Sequence, residues 1–175
     1  MIWTYTQAPV VWLWPSGPAS HAVAALLMLP AFILTVAGLR PGNPTLAGAD
    51  QLLGGLLPAI GITRVTRHPL LWVFVLWAVA HMIANGDVAT LLLAGSVLLT
   101  ALNGMVSIDR KNRRKLGDAY IAFERKTSII PFVAILQGRN DLRWREIGWM
   151  TLILGLLLYA GVFWLHGRFG VPIAL

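Results

Sequence analysis

Cysteine is absent from this 175-residue chain, which excludes disulfides, thiolate zinc sites, iron–sulfur clusters and cysteine nucleophiles within it. Charge is also scarce, since only 12% of the residues are Asp, Glu, Lys or Arg while 57% are hydrophobic. Such a chain cannot cover a water-facing surface with polar groups, and it is too apolar to stay disordered. These two deficits together indicate a membrane protein.

Four stretches have the composition of membrane-spanning helices, which need about 20 mostly apolar residues. Three of them contain no charged residue, namely residues 20–39, 88–108 and 147–165. The fourth, residues 69–84, is shorter, but it opens with proline and joins the third stretch through an Asn-Gly-Asp turn. The sequence therefore predicts an all-α, polytopic transmembrane helix bundle of about four spans, with residues 1–175 forming a single transmembrane domain.

The basic residues are distributed unevenly along these spans. Thirteen of the fourteen Lys and Arg residues precede span two or lie in the loop of residues 109–146, and only Arg168 falls on the other side. Because basic loops stay in the cytoplasm, this loop is predicted to be cytoplasmic. The basic run at residues 110–115 is then an anchor at anionic lipid headgroups. The lipid bilayer is the expected partner, and the net charge of +7 needs no nucleic acid to explain it.

Histidine carries most of the candidate chemistry, because cysteine is absent and carboxylates are few. His21, His81 and His166 are all predicted to lie near the outer ends of spans, whereas His68 opens span two at the cytoplasmic side. Along one helix, His68 and His81 would be about 19–20 Å apart, too far to share one small ligand. Three histidines are thus expected at one depth and the fourth at the opposite end.

Imidazoles that project from neighbouring helices at one depth suit the axial positions of haem b, whose flat apolar ring fits between helices. His81 is the first candidate ligand, because an ionisable group inside a span is usually functional. We predict His21 as the second metal ligand. His68 is expected to have a role at the cytoplasmic face, either structural or in binding a second group such as a haem propionate. The alternative is that His21 and His166 are only polar residues of the membrane interface.

The carboxylates have simpler interpretations. Asp87 is predicted to cap the span that follows the Asn-Gly-Asp turn. Asp109 and Glu124 lie among basic residues and are expected to form surface ion pairs. Tyr120 and Phe123 fall on one face of a short amphipathic helix predicted within residues 113–127.

Two stretches of the sequence, residues 64–87 and 109–132, resemble a known family. The first contains Arg-Val-Thr-Arg-His-Pro and ends in Asn-Gly-Asp, and the second contains Leu-Gly-Asp-Ala-Tyr-Ile-Ala-Phe followed by Lys-Thr-Ser-Ile-Ile-Pro-Phe. In this order and spacing they resemble the NnrU family of bacterial membrane proteins, which includes the zeta-carotene isomerases of plants and cyanobacteria. The resemblance implies a multi-pass protein of the bacterial inner (cytoplasmic) membrane.

The resemblance also implies a cofactor and a chemistry. Zeta-carotene isomerase is a haem b membrane enzyme that isomerises a cis double bond in a carotenoid, and His81 occupies the position of one of its haem ligands. A lipophilic polyene is therefore the implied substrate class, while the family name implies a link to nitrite and nitric oxide metabolism, as in denitrification. Two departures are visible. Ala78 replaces a cysteine of the isomerase, and the other candidate ligand of the family belongs to a helix upstream of this chain.

Two further interpretations remain open at the level of sequence. Arg-His-Pro at a helix start, with the downstream tyrosine and a basic stretch, also resembles the isoprenylcysteine carboxyl methyltransferase superfamily. That resemblance implies an S-adenosylmethionine cleft lined by His68, Tyr120, Arg125 and Pro131. The other interpretation is a non-catalytic chain that packs against partner membrane subunits, which the small size and the aromatic first residues favour.

Overall fold

The computed structural model describes residues 5, 7–40, 43 and 57–168. Within these ranges helices are the regular secondary structure, with one isolated β-bridge between Trp12 and Asp87. The helices in chain order are α1 (Pro18–Gly38), a 3-10 helix (Gly61–Arg64), α2 (Pro69–Ala84), α3 (Val88–Leu116), α4 (Asp118–Lys126), α5 (Val133–Leu136), α6 (Trp144–Ile147) and α7 (Trp149–Arg168). The predicted all-α fold is confirmed.

Three helices, α1, α3 and α7, are long and apolar enough to cross a membrane. Their outward faces carry large apolar side chains such as Leu26, Leu92 and Leu157, which are 70%, 70% and 63% exposed. Such faces are stable against lipid and costly against water, so the chain is a multi-pass membrane protein. The fourth apolar helix, α2, has 16 residues and rises about 24 Å, somewhat less than the apolar core of a bilayer at about 30 Å.

The helix boundaries differ from the predicted spans where charge or glycine intervenes. Helix α2 matches residues 69–84, but α3 continues two turns past Ile108 into the basic run. Lys and Arg are good helix formers, and positive charge is favourable at a helix C-terminus. Helix α3 ends before Gly117, whose φ is 52°. Gly148, with φ 79°, separates α6 from α7, which therefore begins at Trp149.

The long helices form a row in which α1 packs against α2 and α7, and α2 packs also against α3. The end of α1 and the start of α7 meet where Arg40 donates hydrogen bonds to the carbonyl of Ile147 and the hydroxyl of Thr151. The start of α2 and the later part of α3 meet at the same end, where Arg67 lies beside Asp109. We call this the basic end, and the opposite end, at the turn of residues 85–87, the histidine end.

A backbone segment from the N-terminal region packs on that turn. Leu13 donates a backbone hydrogen bond of 2.8 Å to the carbonyl of Gly86. A Cβ atom at Gly86 would lie 2.2 Å from the carbonyl oxygen of Trp14, so only glycine fits there. Asp87 accepts a hydrogen bond of 2.9 Å from the backbone N–H of Thr90, which confirms its predicted capping role.

Helices α1 and α7 approach each other closely at Gly155, where a Cβ atom would lie 2.9 Å from the Cα of Ile33. We expect Gly155→Ala to push the helices apart and destabilise the detergent-solubilised protein by about 1–3 kcal/mol, seen as a lower melting temperature. Gly161→Ala on the same helix is the matched control, because a Cβ there meets nothing within 4 Å. Equal melting temperatures for the two variants would contradict the close approach.

Candidate functional site

Three of the four histidines, His21, His81 and His166, line one cavity of about 260 Å³ at the histidine end. They come from α1, α2 and α7, so their predicted position at one end of the bundle is correct. We call this space the histidine cavity. Most of its remaining wall consists of small alanines and aromatic rings: Ala24, Ala25, Ala80, Ala84, Phe32, Trp77, Tyr159 and Phe163.

The ring of His81 is held in one orientation by its own helix. Its Nδ1 atom lies 2.8 Å from the backbone carbonyl oxygen of Trp77. A carbonyl only accepts hydrogen bonds, so Nδ1 carries a proton, and in the neutral imidazole Nε2 presents a lone pair. The ring also stacks on the indole of Trp77, with centroids 4.3 Å apart. Histidines that bind metals are commonly fixed in this way, with the second ring nitrogen donating to a carbonyl.

The other two histidines approach the cavity from the neighbouring helices. The rings of His81 and His166 have centroids 6.5 Å apart and planes inclined by 55°. His21, near the start of α1, has its Nε2 atom hydrogen-bonded to the hydroxyl of Ser16 at 2.7 Å. No ligand role is predicted for His166 from the sequence, although its predicted depth is the same as that of His81.

The donor set of the cavity suits haem better than a bare metal ion. In the described ranges, no three His, Asp or Glu side chains come close enough to hold one ion. A zinc site needs three or four protein ligands, whereas haem iron needs one or two axial ones. A cavity of about 260 Å³ is slightly below the roughly 300–1,000 Å³ of small-molecule sites, so a ring as large as haem b would extend beyond it. The three histidines of the cavity could therefore hold haem iron, while much of the ring would need space outside this cavity.

His68 lies at the other end of α2, in a buried polar network centred on Asp109. The Nε2 atom of His68 is 2.7 Å from Asp109 Oδ1, and the hydroxyl of Tyr120 donates to the same oxygen at 2.7 Å. The Nε atom of Arg67 lies 3.1 Å from Asp109 Oδ2 as an ion pair, although the angle does not suit a hydrogen bond. We call these four residues the Asp109 network.

Burial also explains the protonation state of the tyrosine in this network. Burial, together with the hydrogen bond to Asp109, raises the pKa of the Tyr120 hydroxyl, so Tyr120 remains a donor. Asp109 itself is 3% exposed. The prediction of a surface ion pair is therefore wrong for Asp109, because α3 continues past the predicted span and α4 folds back over it.

Comparison with known proteins decides the family. The sequence model of the family described as NnrU protein matches residues 1–173, nearly the whole chain. The chain belongs to the NnrU family. It is also 33% identical over 82 residues to the chloroplastic 15-cis-zeta-carotene isomerase of Zea mays and 32% identical over 82 residues to that of Arabidopsis thaliana. Each match covers 47% of this chain and 22% of the isomerase. No solved structure matches the chain significantly.

The beginning of the first stretch that resembles the NnrU family and the end of the second pack together at the basic end. The backbone N–H of Arg67 donates to Ser128, the hydroxyl of Thr66 donates to the carbonyl of Ile129, and the N–H of Phe132 donates to the carbonyl of Val65. These two parts of the NnrU sequence pattern are thus in direct contact.

The Asp109 network also accounts for His68 without a bound group. His68 and Tyr120 are 1% and 0% exposed, and their polar atoms bond to Asp109. S-adenosylmethionine would have to open the network to reach either residue. Arg125 is exposed and Pro131 is half-buried. This geometry favours a structural role for His68 in the NnrU chain over the methyltransferase interpretation or a propionate contact.

A second carboxylate, Glu146, joins α6 to the 3-10 helix outside the spans. It accepts hydrogen bonds of 2.8 Å from the Nε atom of Arg64 and 2.8 Å from the backbone N–H of Gly61. The hydrogen bond from Arg64 holds the pKa of Glu146 below its ordinary value of 4.5. Because this pKa is lowered by folding, the interaction stabilises the protein above about pH 4.5 and is lost as the pH falls through the folded-state pKa.

We therefore expect the melting temperature of Glu146→Gln to be below that of the wild type at pH 7, with the two values converging as the pH falls below about 4.5. Thermal unfolding in detergent between pH 7 and about pH 3.5 measures this difference, and the other carboxylates cancel because both proteins contain them. A difference in melting temperature that stays constant across this pH range would contradict the contact between Glu146 and Arg64.

Proposed function

We propose that this NnrU protein binds haem b in the histidine cavity and acts on a lipophilic polyene as a membrane isomerase. In this proposal His81 would hold the iron together with a second histidine of the cavity, for which the sequence favours His21. The observation that carries the proposal is the orientation of His81. Its Nδ1–H is engaged by the Trp77 carbonyl and its Nε2 is the basic atom, beside two further imidazoles in an apolar cavity.

Each part of the cavity has a distinct task in this proposal. His81 binds the iron, and Trp77 fixes the tautomer and the plane of the imidazole. The rings of Phe32, Tyr159 and Phe163 form a continuous aromatic surface, with centroid separations of 5.9 Å and 5.7 Å between successive rings. A flat apolar polyene is complementary to such a surface, and the aromatic rings exclude water from the double bond.

Haem supplies the chemistry that these side chains lack, because iron can polarise a double bond or exchange an electron with it. The names of the two plant relatives support isomerisation, although this chain spans only about a fifth of their length. Ala78 is fully buried where the isomerase carries a cysteine, so the substitution leaves no thiolate at this position to replace an axial ligand. The link to nitrite and nitric oxide metabolism stays a prediction from the family name.

We also propose that the basic end faces the cytoplasm of a bacterial cell and the histidine cavity lies in the outer half of the inner membrane. The support is the placement of Arg40, Arg64 and Arg67 at one end of the bundle together with the exposed basic run of α3. Lys and Arg are retained on the cytoplasmic side of bacterial membranes.

The first test is the absorption spectrum of the protein purified from membranes of haem-supplemented cells, oxidised and then reduced with dithionite. We expect a Soret band, sharp α and β bands on reduction, and about one haem per chain. A colourless protein that is folded and monodisperse would overturn haem binding. S-adenosylmethionine binding by that protein would instead favour the methyltransferase interpretation, and a chain that is stable only with other subunits would favour the structural one.

A further inference from the structure

The last two turns of α3 carry basic residues on two different sides of the helix. Arg113 faces α4, where its Nε and Nη2 atoms donate hydrogen bonds of 2.5 Å and 2.9 Å to the carboxylate of Glu124. Arg110, Lys111 and Arg114 are exposed and form no ion pair within the described ranges. The basic run is therefore divided, because its outward residues lack the acidic partner that Arg113 has.

The outward residues line one groove on the surface of α3, which we call the α3 groove. It encloses about 490 Å³ and is lined by Ser107, Arg110, Lys111, Arg114 and Lys115. Arg110 and Arg114 are four residues apart, a spacing at which two side chains on a helix are neighbours and like charges repel. Both guanidinium groups can reach one phosphate, which arginine binds through paired hydrogen bonds. An anion of this kind relieves the repulsion, so the groove is suited to a phosphate group.

The same face of α3 is apolar where the helix crosses the membrane. Leu92, Leu99 and Val106 are 70%, 62% and 51% exposed, and they follow one another at intervals of about two turns. Arg110 comes about five full turns after Leu92, so it lies on the same side of the helix about 27 Å further along. Helix α3 is at one end of the row, which leaves this face open to lipid. The apolar face and the α3 groove therefore form one continuous surface.

We propose that the α3 groove binds the phosphate of one anionic phospholipid, whose acyl chains lie along Leu99 and Val106. A phospholipid joins a phosphate to two acyl chains and so matches both parts of the surface, whereas a soluble phosphate matches only the groove. General attraction of the basic run to headgroups would involve all of its residues. The proposed site uses the outward residues and leaves out Arg113, and it is independent of the haem site.

The test is lipid retention by the full chain in a neutral detergent, measured by native mass spectrometry with phosphatidylglycerol as the probe. We expect the wild type to retain one such lipid per chain. We expect the double variant Arg110→Gln/Arg114→Gln to bind it about 10–30-fold more weakly, since each basic residue near an anionic lipid contributes a factor of about five. The matched control is Lys126→Gln/Arg145→Gln, which removes two exposed charges from α4 and α6 and should bind like the wild type.

Three results would overturn the proposal. An equal loss of binding in the two double variants would show general attraction between a basic protein and an anionic lipid. Displacement of the lipid by inorganic phosphate at the same concentration would show that the acyl chains contribute nothing. A wild type that retains no phosphatidylglycerol would show that the surface holds no lipid of this class.

A second measurement locates the lipid without altering the groove, and it serves also if the arginine variant does not fold. The chain has no cysteine, so Val106→Cys and Ile153→Cys each accept a single fluorophore. Both positions are exposed, on α3 and α7 respectively, about one turn inside the basic end. In phosphatidylcholine nanodiscs with a small fraction of phosphatidylglycerol that carries a nitroxide on its acyl chain, we expect stronger quenching at position 106. Equal quenching at the two positions would overturn the proposal, and nitroxide-labelled phosphatidylcholine provides the reference for unselective contact.

Discussion

Replacing Asp109 with alanine should leave little folded protein in the membrane. Asp109 accepts hydrogen bonds from His68 and Tyr120 and forms an ion pair with Arg67, all in a buried setting. Removing the carboxylate leaves the charge of Arg67 buried without this partner and costs about 3–5 kcal/mol. A typical domain is stable by only about 5–15 kcal/mol. The measurements are the yield of monodisperse protein after detergent extraction and its melting temperature.

Two variants make this prediction specific to the network. Asp141→Ala removes an exposed carboxylate and should leave the yield and the melting temperature close to those of the wild type. Tyr120→Phe removes only the hydroxyl and should cost about 1 kcal/mol, a smaller loss than for Asp109→Ala. If Asp109→Ala and Asp141→Ala have the same melting temperature, the Asp109 network does not stabilise the basic end.

Replacing His81 with alanine should reduce the haem content at least tenfold. Even the loss of a residue that only orients a metal ligand typically weakens metal affinity about 10–100-fold, and His81 is proposed as the ligand itself. The measurement is haem per chain, from the pyridine haemochrome spectrum of protein purified from haem-supplemented cells. The control is Phe74→Ala, which removes an aromatic side chain from the same helix but from a lipid-facing position that is 51% exposed.

The same pair of variants separates the haem site from a nonspecific effect on folding. We expect His81→Ala to remain monodisperse, because its side chain is only half-buried and lines a cavity. Wild-type absorption and haem content in His81→Ala would exclude His81 as a ligand. S-adenosylmethionine binding that survives in His81→Ala would point away from haem altogether.

The helix bundle was predictable because its main signals are local. Runs without charge defined α1, α2 and α7, and the Asn-Gly-Asp turn correctly joined α2 to α3. The clustering of three histidines at one end followed from span boundaries alone. Which of their rings come close together depends on how each helix is rotated about its axis and on whether α7 packs against α1 or α2, and neither is encoded in local hydrophobicity.

The Asp109 network was not predictable for a related reason. Asp109 is the first charged residue after an apolar run, a position that usually marks emergence into water. It is buried only because Tyr120 folds back from α4 and Arg67 approaches from the start of α2. The backbone conformation of Phe132 was also not predictable. Its left-handed φ of 65° is rare for an aromatic residue, and nothing in the sequence indicates it.

The shortness of α2 has a consequence for the membrane in which this protein is stable. With its rise of about 24 Å, α2 is about 6 Å shorter than a bilayer core about 30 Å thick, so we expect the turn of residues 85–87 and the start of α2 to lie near the edges of the hydrocarbon in such a bilayer. Polar groups at such depths need partners within the protein, as Asp87 has in Thr90 and Asp109 Oδ1 has in His68 and Tyr120. Lipid acyl-chain length thus becomes a thermodynamic variable for this fold, since hydrophobic mismatch costs fractions of a kcal/mol per Å and is least in a thin bilayer.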